Sequence, residues 1–470
     1  MRKKKNIVLE GVTVEDYAAE GKSLARLDGK VVFIENVVPG DVVDVRLGKN
    51  KKDWAEGYPI RFQSYSTERV QPFCQHFGVC GGCQWQMLSY EKQTQYKQKQ
   101  VFDNLTRIGK VDLPDILPIV GAAGDKFYRN KLEYTFSTKE YLPAGAFNKE
   151  DREQGNRSVL GFHAKGFFDK VVNIQKCWLQ SEPTNDIRNT IRQFALDNGL
   201  SFYDIREHRG LLRTMQVRLC RTGELMVNIV FGEDSEKKHK KLLDYLLQQF
   251  PQITTLLYTI NLKKNDSLHD LDPKVYYGKG YVIEKLEDFS FKIGPKSFFQ
   301  TNTAQGERLY QITREFAELD GNQVLYDLYC GTGSIGIFCS RGAKKIIGVE
   351  VIEAAIADAK ENAALNNLDH THFYSGDVID VCNDEFFALH GRPDVIITDP
   401  PRAGMHEKLV RKILDMEAPT VVYVSCNPAT QARDLALLDE KYSVTKVQPV
   451  DMFPHTHHIE NIAQLKLKAR

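Results

Sequence analysis

A glycine-rich turn at residues 329–336 constrains the fold of this chain more than any other feature of its sequence. It follows the apolar run Gln323–Leu328, and its glycines, Gly331, Gly333 and Gly336, are spaced as Gly-x-Gly-x-x-Gly. Glycines let the backbone turn tightly between a strand and a helix and come close to a ligand. The pattern therefore predicts a strand–turn–helix unit of an α/β sheet, with a ligand at the turn.

The C-terminal part of the chain continues this pattern as an alternation of strands and helices. Short apolar strands are predicted at Gln323–Leu328, Lys345–Val349, Val395–Thr398 and Val421–Val424. Helical stretches, such as residues 351–366, separate them. Such alternation predicts a Rossmann-like, doubly wound parallel sheet. Ligands of these sheets bind beyond the carboxyl ends of the strands.

The rest of the chain predicts two further domains. Short apolar runs separated by glycine- and proline-containing turns indicate a small OB-like β-barrel near the N-terminus, and barrels of this size often bind nucleic acid. We expect three domains: the β-barrel in residues 1–66, a mixed α+β domain in residues 67–290 and the α/β domain in residues 291–470.

Composition and charge limit the cellular compartments and the binding partners that are expected for this protein. The chain has 42% hydrophobic and 27% charged residues, and no stretch approaches the ~20 apolar residues needed to span a bilayer. The basic N-terminus is not followed by the apolar segment of a secretory signal, so we expect a cytoplasmic protein without a membrane partner. The formal net charge is only +1, but residues 1–110 carry 18 Lys and Arg against 13 Asp and Glu. This mild basic bias is compatible with a nucleic-acid partner.

Two carboxylates follow later strands of the predicted sheet. Glu350 comes directly after the strand that ends at Val349, where a carboxylate can accept hydrogen bonds from the ribose hydroxyls of a nucleoside. Asp377 lies about one strand further on and could reach an adenine edge, or it could cap a turn. On these motifs alone, a nicotinamide dinucleotide and S-adenosylmethionine both fit the crevice.

The turn Asp399-Pro400-Pro401-Arg402 favours a methyltransferase. It follows the strand Val395–Thr398 at the same edge of the sheet. Proline fixes φ and leaves Asp399 little freedom, so the turn can hold an acceptor base beside a methyl donor. A dehydrogenase has no evident need for such a turn. Enzymes that methylate amino nitrogens use the same turn type, but they need no cysteine nucleophile.

Cys426 and Glu460 are the candidate catalytic residues. Cys426 lies in Ser-Cys-Asn-Pro directly after the strand Val421–Val424, so its thiol is either a packed core group or a nucleophile at the crevice. Glu460 lies in His-Thr-His-His-Ile-Glu-Asn, ahead of a final apolar run, and is either a surface carboxylate or an acid/base group. The three histidines of this segment match no common zinc signature.

Three cysteines lie close together in the N-terminal half. Cys74, Cys80 and Cys83 have the spacing Cys-x5-Cys-x2-Cys, with two glycines between the last two. With a distant fourth ligand they suit either zinc or an iron–sulfur cluster, and the spacing alone does not decide between them. Disulfides are not expected in a reducing compartment. Four other cysteines are expected to be core thiols: Cys220, Cys330, Cys339 and Cys382.

Taken together, these motifs resemble the RNA uracil-C5 methyltransferase family. The matching segments occur in the order of the family and are Phe298–Asn302, Asp327–Gly336, Asp399–Arg402, Ser425–Pro428 and His458–Asn461. The resemblance covers essentially the whole chain, and the N-terminal barrel is similar to a TRAM module.

The resemblance implies a reaction and the residues that carry it. Uracil C5 is a poorly nucleophilic carbon, so a thiolate first adds to C6, C5 then accepts the methyl group, and a base removes the C5 proton. By the resemblance, Cys426 is the nucleophile and Glu460 the base. Ser334 stands where several relatives carry Asn, which offers more hydrogen bonds. The expected contacts to S-adenosylmethionine and uracil are Gln300, Tyr329, Gly331, Gly333, Ser334, Glu350, Asp377 and Asp399.

The resemblance also implies a metal group and an RNA partner. A [4Fe–4S] cluster is expected on Cys74, Cys80, Cys83 and Cys177, with a structural or RNA-contacting role because uracil methylation is redox-neutral. The expected substrate is structured RNA, most similar to that of the bacterial 23S ribosomal RNA enzymes. The target uridine must be unstacked to reach the thiol. Transfer RNA as substrate and a non-catalytic RNA-binding module are the alternatives. We expect a monomer without an obligate protein partner.

Overall fold

The computed structural model describes residues 7–143 and 157–469. In these residues the strands form four sheets, which follow one another along the chain. They are a six-stranded N-terminal sheet, a seven-stranded central sheet, a two-stranded ribbon and a seven-stranded C-terminal sheet.

The N-terminal sheet is built from short strands whose residues alternate between the core and the solvent. In the fourth strand, for example, Val32 and Ile34 are buried, as the two-residue period of a strand requires. The order across the sheet is β1-β5-β6-β4-β3-β2. The strands are β1 (Val8–Thr13), β2 (Asp16–Tyr17), β3 (Ser23–Leu27), β4 (Lys30–Ile34), β5 (Val42–Asn50) and β6 (Trp54–Ser64). This all-strand region agrees with the N-terminal β-module expected from the sequence.

Helix α1 (Tyr90–Asn104) follows the cysteine-rich segment and packs against the C-terminal domain. The hydroxyl of Ser89 accepts a hydrogen bond from the backbone of Lys92 and caps the first turn. Val101 and Leu105 are buried in the same apolar cluster as strands of the C-terminal sheet. Although α1 lies within residues 67–290, its buried face therefore belongs to the core of the α/β domain.

The central domain is a mixed sheet covered by two helices. Only β11 and β12 pair in parallel, and the other pairs are antiparallel. Its strands, in the order β13-β12-β11-β10-β7-β8-β9, are β7 (Lys131–Ser137), β8 (Val159–His163), β9 (Val171–Asn173), β10 (Leu212–Leu219), β11 (Leu225–Phe231), β12 (Thr255–Ile260) and β13 (Lys274–Gly278). Helix α2 (Thr184–Asp197) buries Ile187, Ile191 and Ala195, which lie four residues apart on one face. Helix α3 (Glu236–Gln249) buries Leu242, Leu243 and Leu246 in the same core.

A ribbon and a helix connect the central and C-terminal domains. The ribbon pairs β14 (Val282–Leu286) with β15 (Phe289–Ile293). Helix α4 (Thr303–Ala317) begins at Asn302, whose side chain accepts a hydrogen bond from the backbone of Gln305. Buried residues of both elements pack on one face of the C-terminal sheet.

The C-terminal sheet has the order β18-β17-β16-β19-β20-β22-β21. Its first five strands are parallel, whereas β22 runs antiparallel between β20 and β21. The strands are β16 (Val324–Leu328), β17 (Lys345–Glu350), β18 (Thr371–Ser375), β19 (Val395–Thr398), β20 (Thr420–Ser425), β21 (Tyr442–Val450) and β22 (Glu460–Leu467). The helices between them are α5 (Ser334–Cys339), α6 (Glu353–Leu365), α7 (Val378–Val381), α8 (Asp384–His390), α9 (Glu407–Met416) and α10 (Pro428–Leu438).

Both faces of the C-terminal sheet are covered, which explains the apolar runs that predicted its strands. Along β20, Val422 and Val424 belong to the cluster on one face, and Val421 and Tyr423 to the cluster on the other. The predicted doubly wound α/β domain is confirmed, with β22 inserted antiparallel between β20 and β21. Within the described ranges, no helix combines the length and apolar character needed to cross a bilayer.

Candidate active site

The register of the C-terminal sheet brings the ends of its parallel strands side by side. Leu328 of β16 is the partner of Val349 in β17 and of Thr398 in β19. Glu350 of β17 is the partner of Ser375 in β18. Side chains that lie at or just after these strand ends therefore share one edge of the sheet, as the sequence predicted for Tyr329, Glu350, Asp377 and Asp399.

The glycine-rich turn connects β16 to α5 in a strained conformation. Gly333 has a φ of 76°, and a Cβ atom at this position would come within 2.9 Å of the ring of Phe373. Only glycine fits both the conformation and the space. Tyr329, although it is not a glycine, also has a positive φ, of 61°. Backbone strain of this kind concentrates at functional sites, where the surrounding structure maintains it.

Asp327, inside β16, is held beside the glycine-rich turn and is not among the cofactor contacts expected from the sequence. Its side chain is fully buried, and Oδ2 accepts a hydrogen bond from the backbone N–H of Gly336 at 2.8 Å. Oδ1 is buried and has no hydrogen-bond partner among the described residues. Burial raises the pKa of Asp327 to about 7. An acidic residue within the apolar run Val-Leu-Tyr-Asp-Leu was the signal that could have identified it.

Glu350 and Asp377, two other predicted cofactor contacts, form different hydrogen bonds. The carboxylate of Glu350 accepts hydrogen bonds from the backbone N–H groups of Gly331, at 3.3 Å, and Ile352, at 3.0 Å. Asp377 caps α7 by accepting a hydrogen bond from the backbone of Ile379, which is the turn-capping alternative. This contact leaves its second carboxylate oxygen available.

Ser334 and Gln300 are held by residues that the sequence did not single out. The hydroxyl of Ser334 lies 2.9 Å from the hydroxyl of Tyr310 in α4, so one of its hydrogen bonds is already used. Gln300 is buried, and its backbone carbonyl accepts a hydrogen bond from the side chain of Asn130 at 2.9 Å. The central domain thus anchors the segment that carries Gln300.

Pairing of β20 with β22 brings the two candidate catalytic residues together. Ser425 is the partner of Asn461 in this antiparallel pair. Cys426 follows Ser425 and Glu460 precedes Asn461, so the two residues come opposite each other. Cys426 is partly exposed, unlike a packed core thiol, and Glu460 is 7% exposed, unlike a surface carboxylate.

The charges around Cys426 and Glu460 favour neutral side chains. Burial raises the pKa of Cys426 to about 11, with further contributions from Glu460 and Asp399, whereas Arg402 opposes the shift. Burial and the neighbouring Asp399 raise the pKa of Glu460 well above its usual range. Burial likewise raises the pKa of Asp399. A group of carboxyls at one crevice makes it a favourable place for a cation.

Hydrogen bonds connect the loop of Cys426 to the turn of Asp399. The side-chain amide of Asn427 donates to the backbone carbonyl of Arg402 at 3.0 Å, and Thr430 donates to the same oxygen at 3.2 Å. The side-chain oxygen of Asn427 also caps α10. The guanidinium of Arg402 lies 3.4 Å from the ring of His458. These contacts fix the relative positions of the two loops.

The loop that precedes Glu460 is held by N-terminal segments of the chain. The backbone carbonyl of His455 accepts hydrogen bonds from the N–H groups of Gln84 and Trp85. Nδ1 of His457 lies 2.9 Å from the side-chain oxygen of Gln84. The cysteine-rich segment therefore packs directly against the loop that leads to the active site.

The four predicted cluster ligands line one cavity of about 580 Å³: Cys74, Cys80, Cys83 and Cys177. All four are free thiols, and burial raises the pKa of Cys80 to about 11 and that of Cys83 to about 12. Among the described residues, no group of three or more His, Cys, Asp or Glu is arranged to hold a single metal ion. The predicted core thiols, Cys220, Cys330, Cys339 and Cys382, are all buried.

Two protein-family profiles match this chain, and together they cover most of it. The profile described as tRNA (uracil-5-)-methyltransferase matches residues 212–468, more than half of the chain. The chain belongs to this family. The TRAM domain profile matches residues 10–60, which confirms the module expected at the N-terminus. Family membership assigns the chain to the RNA methyltransferases and excludes the nicotinamide oxidoreductase that the glycine-rich turn had left open.

Relatives of the family align with nearly the whole chain. An uncharacterized RNA methyltransferase of Bacteroides thetaiotaomicron is 52% identical, over 96% of this chain and 100% of its own length. One from Porphyromonas gingivalis is 46% identical, over 96% of this chain and 98% of its own. A solved structure, the Pyrococcus abyssi tRNA (uracil-54, C5)-methyltransferase with S-adenosyl-L-homocysteine, is similar with a TM-score of 0.75 and 27% identity. That likeness covers 97% of this chain and 100% of the other.

Proposed function

We propose that the protein transfers a methyl group from S-adenosylmethionine to C5 of a uridine in RNA, with Cys426 as nucleophile and Glu460 as base. The observation that carries this proposal is the register of β20 and β22, in which Cys426 comes opposite Glu460. A partly exposed thiol beside a buried carboxyl is the pair that covalent methylation of a ring carbon needs.

The thiol of Cys426 starts the reaction. As the thiolate it forms a bond to C6 of the uracil, and the electrons of the C5–C6 double bond move into the ring to give an enolate. C5 then takes the methyl group. Because its pKa is about 11 in the free protein, the thiol is mostly protonated at neutral pH. Arg402, which lowers this pKa, is the residue placed to stabilise the thiolate.

Glu460 completes the reaction by removing the proton from C5. The electrons of the C5–H bond then restore the C5–C6 double bond, and the thiolate of Cys426 leaves. A carboxylate whose pKa is raised by burial and by Asp399 is a stronger base than an exposed one. The pKa of Glu460 would fall while a sulfonium cation lies in the crevice and rise again once that cation is consumed. Glu460 would thus be the stronger base at the step that needs one.

S-adenosylmethionine supplies the methyl group, and its sulfonium charge suits the carboxyls at the sheet edge. The residues proposed to contact it are Gln300, Tyr329, Gly331, Gly333, Ser334, Glu350, Asp377 and Asp399. The solved Pyrococcus abyssi relative contains S-adenosyl-L-homocysteine, the demethylated product of this donor, which supports the assignment. Asp327 adds a further buried carboxyl to the same edge.

The cavity lined by Cys74, Cys80, Cys83 and Cys177 is proposed to hold a [4Fe–4S] cluster. Four thiols of this kind are the donor set that such clusters use. The thiols of Cys80 and Cys83 interact with the other cysteines of the set, so the four lie close together, as ligands of one cluster would. In this position the cluster would cross-link segments of the chain far apart in sequence. Methylation of uracil is redox-neutral, so no electron transfer is assigned to it.

The proposed substrate is structured RNA, with 23S ribosomal RNA as the first candidate because a TRAM module combined with four cysteines resembles the ribosomal enzymes. Transfer RNA is the second candidate, because the family is described by that substrate and the solved relative acts on uridine 54 of transfer RNA. A catalytic role is proposed rather than a passive RNA-binding one, because the pairing of β20 with β22 sets Cys426 opposite Glu460.

Tritium release from RNA that carries C5-labelled uridine tests the proposal. The wild-type protein is expected to release tritium as it methylates the RNA in the presence of S-adenosylmethionine, and Cys426→Ala is expected to release none while it still binds the methyl donor. Ribosomal and transfer RNA from a deletion strain, complemented with either protein, are then mapped for 5-methyluridine. Turnover by Cys426→Ala would contradict the mechanism. Loss of 5-methyluridine from one RNA class would identify the substrate.

A further inference from the structure

Four cationic side chains lie between the cysteine cavity and the segment of Gln300. Arg129, Lys131 and Lys176 line the cysteine cavity, together with Thr301. Arg129 also lines a second cavity, of about 350 Å³, with Lys126 and with Asn302 and Thr303. We refer to Lys126, Arg129, Lys131 and Lys176 as the cationic strip. The strip thus connects the cysteine cavity to the edge of the active site.

The charges of the cationic strip are only partly compensated, because Glu133 lines the same cavity and interacts with Lys131. None of its four side chains forms an ion pair with a residue that the structure describes. Nε of Arg129 is buried and lacks a hydrogen-bond partner among those residues. The four positive charges outnumber the carboxylate of Glu133 and repel one another, so the strip favours a polyanionic ligand.

Aromatic rings lie among the cations. Trp178 is partly exposed, and the ring of Phe127, which is 42% exposed, lies 5.7 Å from it. The ammonium of Lys176 lies 4.0 Å above the Trp178 ring, and that of Lys126 lies 4.2 Å above the ring of Phe73. A phosphate would attract the ammonium of Lys176 more strongly than the ring does, which would leave the indole face open for a base.

The backbone holds these residues in place and beside the active site. The N–H of Phe127 donates to the carbonyl of Trp178 at 2.7 Å, and the N–H of Arg129 donates to that of Leu179 at 2.7 Å. The guanidinium of Arg129 lies 5.0 Å from the centre of the Phe453 ring, in the loop that leads to Glu460. A ligand on the strip would therefore lie beside the loop that leads to Glu460.

We propose that the cationic strip, with Trp178 and Phe127, binds a single-stranded segment of the substrate RNA that flanks the target uridine. The cations contact phosphates and the two rings stack with bases, a combination that binds single strands with little sequence preference. The assignment rests on the proposed function for the identity of the polyanion. An acidic segment of a protein would satisfy the charges, but it would leave the aromatic rings without a stacking partner.

Binding of a fluorescent single-stranded oligouridine of about ten nucleotides to the full-length protein tests this proposal. Trp178→Ala is expected to weaken binding about tenfold and to abolish RNA-dependent quenching of tryptophan fluorescence. The double variant Lys126→Ala/Lys176→Ala is expected to reduce the slope of log K against log salt by about 1.4. Lys237→Ala and Tyr277→Ala are matched controls, because these exposed residues lie in α3 and in β13 at the far edge of the central sheet. Both are expected to bind like wild type.

Folding and metal content are measured in the same samples, because Trp178 follows Cys177. If Trp178→Ala unfolds at the same temperature and contains as much iron as wild type, its effect is on RNA binding. Trp178→Phe, which keeps an aromatic ring, is expected to retain most of the affinity. Any of three results would overturn the proposal. Trp178→Ala could bind and quench like wild type, the lysine variant could keep the wild-type salt slope, or polyglutamate could bind as strongly as the RNA. These binding measurements can also be made on a Cys426→Ala background, so failure of methylation and failure of the strip remain distinguishable.

Discussion

The ammonium of Lys97 lies 2.6 Å from the carboxylate of Asp451, and neither side chain is exposed to solvent. Lys97 belongs to α1, whereas Asp451 begins the loop that leads to Glu460. The hydroxyl of Tyr90 donates to the second carboxylate oxygen at 2.8 Å, and Lys97 also donates to the carbonyl of Phe453 at 3.1 Å. One buried ion pair thus joins α1 to the loop that leads to Glu460.

Removal of one partner of this ion pair should destabilise the protein strongly. We expect Lys97→Met to lower the free energy of unfolding by about 3–5 kcal/mol, because Asp451 would remain buried without its counter-charge. Denaturant titration measures the change. Lys240→Met is the control, since Lys240 and Asp244 form an exposed pair at 3.9 Å, for which the cost is below about 1 kcal/mol. Equal stability of the two variants would contradict a structural role for the buried pair.

Alkylation of Cys426 should depend on pH as expected for a thiol with a raised pKa. The rate of reaction with iodoacetamide is expected to rise up to about pH 11, because only the thiolate reacts. Glu460→Gln removes a neighbouring negative charge, so it should lower this pKa and speed alkylation between about pH 8 and pH 10. Mass spectrometry of the Cys426 peptide measures the rate. The buried Cys330 in the same digest is the internal control, and an unchanged rate in Glu460→Gln would show that the two groups do not interact.

Replacement of the proposed base should stop the reaction after methyl transfer. Glu460→Gln is expected to accumulate a covalent protein–RNA adduct, because the C5 proton can no longer be removed and the thiolate cannot leave. Denaturing gel electrophoresis with labelled RNA detects the adduct. The double variant Cys426→Ala/Glu460→Gln should form none. If Glu460→Gln turns over normally without an adduct, another group is the base.

Asp327 should distinguish the methyl donor from its product by charge. At about pH 8.5, above its pKa of about 7, Asp327 is ionised and should favour the sulfonium of S-adenosylmethionine over neutral S-adenosyl-L-homocysteine. Asp327→Asn is therefore expected to weaken binding of the donor several-fold more than binding of the product, and this difference should shrink near about pH 6. Calorimetric titration with both ligands measures it. Equal losses for the two ligands at both pH values would assign Asp327 a purely structural role.

Asp204 should contribute stability that is lost in acid. Burial opposes its ionisation, but hydrogen bonds from the N–H groups of Glu207 and Arg206 and from Thr138 and Lys139 lower its pKa to about 2. Because the folded-state pKa is below the unfolded value of about 3.9, its contribution is present above that value and disappears as the pH falls towards 2. We expect Asp204→Asn to be less stable than wild type at about pH 6. At about pH 3 the stability of the variant should be closer to that of wild type. Thermal unfolding at both pH values measures the difference, and a constant gap would contradict the expectation.

Several features of the fold and the site could be predicted because they depend on short stretches of chain. The apolar runs at Val395–Thr398 and Val421–Val424 appear as β19 and β20, which differ from the predicted bounds by at most one residue at each end. Asp399 and Cys426 follow these strands and lie at the expected edge, because parallel strands present their carboxyl ends together. Glycines and prolines mark the same turns in the sequence and in the structure, since their conformational limits are local.

The sequence by itself therefore determined the α/β domain, the family and the residue types of the candidate site. Only the tertiary structure decided that β22 inserts beside β20 and so sets Glu460 opposite Cys426. It also decided that Asp327 is buried within β16 and that Lys97 contacts Asp451 from a helix far away along the chain. The physical reason is that strand register, burial and ion pairing between distant segments depend on how whole elements pack, which no local pattern of residues specifies.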